Sequence, residues 1–146
     1  MCFMLYAGTL KALPRKAWQK AAPDLSVASL AEHDATVKAH FDSPEVQSIG
    51  STASCGCDFP CVTLQSGGWP GFDSDEDPEQ VATERYNREA LVRLLRSAHE
   101  QTVELYCVWF GDFGTPPLAR EEILLTRILD ADFRFKERGF YLVRIL

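Results

Sequence analysis

The sequence predicts an α+β fold: a largely antiparallel sheet of five to six strands, with one long helix at about residues 78–100 packed on one face. Three observations carry this. "TVELYCVWF" (102–110) alternates strictly, Val103, Leu105, Cys107 and Trp109 against Glu104, Tyr106, Val108 and Phe110, which is the period of a strand. From Asp77 onward the chain has a helix start followed by an apolar stripe at helical spacing. The other apolar runs are short and bounded by Gly, Pro and Asp.

Taken in order, "CFMLYA" reads as a strand with Cys2, Met4 and Tyr6 on one face and Phe3, Leu5 and Ala7 on the other. Both faces are apolar, so a central position in the sheet is expected. Pro14 and Pro23 break the next stretch, which leaves room for a helical turn at "RKAWQK", and "LSVASL" supplies a second strand. "EHDATVKAHF" reads as a short helix ended by "DSP", and "EVQSI" as a strand leading into Gly50. Residues 66–77 read as loop. Asp77 then serves as N-cap, Pro78 stands at the first helical position, and Gln80 is placed to close a capping box. Leu91, Leu94, Leu95 and Ala98 form the stripe, with Arg88, Arg93 and Arg96 expected outside it. "EILLTRIL" favours a buried strand over a helix, and "FRF" with "FYLVRI" suggests a hairpin through "KERG", with Gly139 left-handed. The last strand ends the chain, and residues 1–146 are expected to form one domain.

Composition narrows the function classes. At 146 residues and 46% hydrophobic the chain is long enough for a full core. Its net charge of -6 argues against a nucleic-acid partner, since neutralising phosphates needs a basic face. No polybasic anchor, secretory leader or membrane-length apolar run is present, so a cytoplasmic location and reduced thiols are expected.

The chemistry concentrates in "GSTASCGCDFPC" (50–61), which holds three of the five cysteines. Cys55 and Cys57 are separated only by Gly56, whose freedom lets one bend bring both sulfurs together. Tetrahedral zinc, with Zn–S near 2.3 Å, wants sulfurs about 3.8 Å apart. Cys61 follows Pro60, whose restricted φ could return a third thiol, so Cys55, Cys57 and Cys61 form a candidate metal set with zinc as the cofactor it suggests. A fourth ligand is not evident, and Cys2 or Cys107 would serve. Catalytic or redox use of Cys55, Cys57 or Cys2 is the second reading, with Cys2 placed like the nucleophile of N-terminal nucleophile enzymes. Simple packing of the thiols is the third. A rival class is a non-catalytic binding module for a small molecule or protein, using loops 66–77 and 110–117 with Trp69, Trp109, Phe110 and Phe113. Asp73, Asp75, Asp77 and Glu84 mimic calcium-loop spacing, but Pro78 stands where a glycine is needed, and a solvated helix start explains them.

Three stretches, "MCFMLYAG", "GSTASCGCDF" and "VELYCVWFGD", cover about a fifth of the chain. Together they resemble a family of small bacterial proteins of unknown function, which open with an M-C-x-x-L-Y strand and carry a G-S…C-G-C-x-F loop. The resemblance implies that Cys2, Cys55 and Cys57 are the shared cysteines and that Cys61 and Cys107 are incidental. It also implies a bacterial, cytosolic setting, and it brings no activity with it.

Overall fold

The computed structural model describes residues 2–63 and 77–145. Along them run β1 (Phe3–Thr9), β2 (Ser26–Ser29), β3 (Glu45–Gly50), β4 (Cys61–Val62), α1 (Pro78–Arg96), β5 (Thr102–Trp109), β6 (Ala119–Leu124), β7 (Phe135–Lys136) and β8 (Gly139–Arg144). Six of these strands make one sheet in the order β2-β3-β1-β5-β8-β6. Every neighbouring pair in it is antiparallel except β6 with β8. β4 and β7 form a separate parallel pair. The α+β architecture expected from the sequence is the one observed.

The two-sided strands lie where their patterns require. β1 is flanked by β3 and β5, and its residues divide between two cores. Phe3, Leu5 and Ala7 join Val103, Leu105 and Cys107 in the larger core, against Ala90, Leu91, Val92 and Leu95 of α1. Tyr6 joins Tyr106, Val108 and Phe140 on the opposite face, under Val37, Phe41 and Phe113. Leu91 and Leu95 are fully buried, which stabilises the helix–sheet contact by about 1.5–3 kcal/mol each. The second face also buries a phenol–carboxylate pair, Tyr6 Oη donating to Asp34 Oδ2 at 3.0 Å.

Several elements differ from expectation. The helix ends at Arg96 rather than near residue 100, because Ser97 caps it and His99 turns left-handed at φ 55°. Its start at Pro78 and the Asp77 cap are as expected, the carboxylate accepting from the backbone N–H groups of Glu79 and Gln80. Among the described residues the Gln80 side chain does not bond back to Asp77, so the capping box stays open. Arg88 lies inside, not outside the stripe, and its guanidinium donates to the carbonyls of Ile128, Asp130 and Phe133. "RKAWQK" makes no helical turn; Lys16 instead bridges Val27 in extended backbone. "EHDATVKAHF" contains a 3-10 helix, Ala35–His40. "EILLTRIL" splits, its start completing β6 and Leu125–Leu129 forming a 3-10 helix. β7 and β8 do not pair with each other, and the left-handed residue between them is Arg138, at φ 59°. Gly139 is needed for space instead, since a Cβ there would stand 2.8 Å from the Lys136 carbonyl oxygen. Among the described residues no helix is long and apolar enough to cross a membrane.

Candidate functional site

Register assembles the site. β1 and β3 are antiparallel with Leu5 opposite Ile49, so the chain leaves β3 beside the point where it enters β1. The cysteine loop that follows Gly50 therefore lies next to Cys2. The same end of β1 is held from the other side, where the Phe110 N–H donates to the Cys2 carbonyl at 2.8 Å.

Within the loop, Ser51 is the organising residue and is wholly buried. Its N–H donates to the Cys55 carbonyl at 2.7 Å, its hydroxyl donates to the same carbonyl, and its Oγ accepts from the Ala53 N–H at 3.1 Å. These bonds close a tight turn in which Ser54 takes φ 70°. Gly56–Asp58 then form one 3-10 turn, anchored by the buried ring of Phe59. Asn87 of α1 clamps the loop from the side, accepting from the Thr52 N–H at 3.0 Å and donating to Thr52 Oγ1 at 2.9 Å.

Gly56 lies flat on β1. A Cβ there would meet the Phe3 carbonyl oxygen at 2.6 Å and its carbon at 3.1 Å, both backbone atoms that have no easy retreat. The glycine between the two sulfurs is thus required for close approach of loop to strand.

The result is a cluster of three thiols. The Sγ atoms of Cys2, Cys55 and Cys57 all lie within 4.8 Å of one another, a spacing that could hold a metal ion. Cys2 and Cys57 are exposed and Cys55 is half-buried, so the cluster opens to solvent. Cys57 Sγ also accepts a hydrogen bond from the Phe3 N–H at 3.5 Å. Burial, followed by hydrogen bonding to Cys57, pushes the Cys55 thiol up to about 12. The groups acting on it beyond burial are Cys57 and Cys2.

Cys61 is placed differently. It sits on β4, half-buried against the larger core, and is not a member of the three-thiol group. Burial, then the proximity of Cys57 and Glu84, raises its thiol to about 12. Cys107 is fully buried on β5, and burial raises it well above the ordinary thiol value. Of the sequence candidates, then, the fold gathers Cys2 with Cys55 and Cys57 and sets Cys61 and Cys107 apart.

The aromatic loops divide as well. Trp109 packs edge-on against Phe3 and donates through Nε1 to Glu137 at 2.7 Å, and Phe113 is buried against Tyr6. Phe110 is about half exposed, its ring tilted against that of His33 with centroids 5.5 Å apart. Trp69 and the acids Asp73 and Asp75 lie outside the described residues, whereas Asp77 is spent on capping α1. Sequence reasoning missed Ser51 and Asn87 as positioning residues. The only local signal for Asn87 was a weak helix former standing inside a helix.

No family model, no curated protein and no solved structure matches this chain.

Proposed function

We propose that the protein holds one thiophilic metal ion, with zinc as the favoured occupant, on the sulfurs of Cys2, Cys55 and Cys57. The observation that carries this is the convergence of three Sγ atoms within 4.8 Å, one of them more than fifty residues from the others in sequence. Thiolates are strong donors for a borderline-soft d10 ion. Three protein sulfurs leave one tetrahedral position for a further ligand, and the exposure of Cys2 and Cys57 gives that position access to solvent. The Phe3 N–H aimed at Cys57 Sγ is the kind of supporting hydrogen bond that orients a thiolate ligand.

A thiol-redox or nucleophilic role draws less support. Such a cysteine needs a lowered pKa, usually from a neighbouring cation. Cys55 is shifted the other way, by burial and by other thiols. For metal binding the ion itself supplies the positive charge that stabilises the thiolates, so the raised Cys55 thiol makes affinity fall as pH falls but does not remove the site.

The test is metal analysis of protein purified without added metal, together with zinc titration against a chromophoric chelator. One ion per chain is expected. Cys2→Ser, Cys55→Ser and Cys57→Ser should each weaken binding by about 100-fold or more, on the scale of losing a first ligand. Cys61→Ser should leave affinity within about twofold, because that sulfur is not in the cluster. Binding below one ion in ten chains, or affinity that ignores Cys2→Ser while falling with Cys61→Ser, would overturn the assignment.

A further inference from the structure

A second feature, on the helix side of the sheet, is independent of the thiols. The segment after β1 is tied to the sheet edge by paired bonds. Gln47 exchanges two with the backbone of Leu13, at 2.8 and 2.9 Å, and Lys16 exchanges two with Val27, at 3.0 and 2.9 Å. Between this arm and the C-terminal half of α1 is a cleft of about 480 Å³. Leu25, Val27, Ala90 and Leu94 supply its apolar walls, and the volume falls in the range of small-molecule sites.

The charge at its mouth is unusual for this chain. The cleft residues include Arg15, Lys16 and Arg93 against the single acid Asp24, in a protein of net charge -6. Asp24 is already engaged, accepting from Lys16 Nζ at 2.8 Å, Tyr86 Oη at 3.0 Å and the Leu25 N–H at 2.8 Å. Among the described residues, neither the Arg15 nor the Arg93 guanidinium has an ion pair or hydrogen bond. Two unspent guanidinia at the rim of an apolar cleft present planar donor forks suited to a carboxylate, with hydrocarbon beneath for its tail.

We propose that this cleft binds a small monocarboxylate with an apolar body, its head on Arg15 and Arg93 and its tail against Leu25, Val27 and Leu94. The arm and the helix are both held in place without the ligand, so the site is largely preformed.

Octanoate, 1-octanol and octylammonium are the probes, titrated into the full chain by calorimetry with backbone amide shifts mapped by NMR. Octanoate should bind about tenfold or more tightly than octanol, the worth of one good charge-assisted contact, and octylammonium more weakly than either. Amide shifts should centre on residues 14–27 and 90–97. Arg15→Gln and Arg93→Gln alter exposed side chains and should erase the preference for octanoate while leaving octanol affinity within about twofold. Leu94→Gln should weaken both ligands. Equal affinity for octanoate and octanol, shifts centred elsewhere, no saturable binding up to millimolar octanoate, or a preference that survives both arginine substitutions would each overturn the proposal.

Discussion

A single missing side chain governs the thiol cluster. Gly56 lies so close to β1 that any Cβ would strike the Phe3 backbone, and the loop carrying Cys55 and Cys57 would have to lift. Gly56→Ala should therefore separate these sulfurs from Cys2. The expected outcome is a loss of zinc affinity of about 10-fold or more with the α1–sheet core intact, read by chelator competition beside urea denaturation. Unchanged zinc affinity in a folded Gly56→Ala protein would show that the loop has slack the packing does not suggest. This role was half legible in the sequence: C-G-C announced a bend, but the need for glycine comes from a strand more than fifty residues away. Cys61 shows the opposite case. Its nearness in sequence suggested a shared site, yet pairing of β4 with β7 carries it toward the core.

Elements with strong periodicity formed where their patterns put them, and the exceptions have tertiary causes. In β5 the alternation of Val103, Leu105 and Cys107 with Tyr106 and Val108 maps directly onto the two cores. Arg88 breaks its helix pattern because it serves another element: it is the donor for carbonyls around the 3-10 helix Leu125–Leu129 and the turn after it. Arg88→Leu would leave those buried acceptors without a donor and should destabilise by about 3 kcal/mol. Arg96→Ala, at an exposed position in the last turn, should move stability by less than about 0.5 kcal/mol. Urea midpoints of the two variants test the contrast, and comparable losses would contradict the clamp. "EILLTRIL" split for a related reason: a continuous apolar run does not say where strand gives way to turn, and here the change at Leu124 is set by pairing with the end of β8 at Arg144.

At the scale of the whole molecule, the buried phenols and the buried Cys107 thiol of the described residues shift in one direction. Burial raises Tyr6 and Tyr141 far above the ordinary phenol value, lifts Tyr106 to about 12, and raises Cys107 well above the ordinary thiol value. Each holds its proton more tightly folded than unfolded. Their contribution to stability is complete below the unfolded values, 9.0 for the thiol and 10.0 for the phenols, and is lost as pH climbs from there through the folded values. Urea midpoints measured with chelator present should be level from about pH 7 to 8.5 and fall steeply above about pH 9.5. Cys107→Val removes one of the thiols that burial raises, leaving Cys55 and Cys61, and should make the alkaline decline shallower without moving its onset. A midpoint that stays level to pH 11 would show that these groups ionise alike in both states.

The sequence by itself determined the α+β class, the two-sided central strands, the start of α1 and the bend between Cys55 and Cys57. Each rests on periodicity, capping or backbone freedom over a few neighbouring residues. Only the tertiary structure decided which third sulfur joins the pair, why Gly56 cannot be larger, that Arg88 is an internal clamp, and that Arg15 and Arg93 face one cleft. Those facts depend on strand register and on which segments pack together. Antiparallel pairing of β1 with β3 brings residue 2 beside residues 55 and 57, and no local pattern in either stretch encodes that meeting.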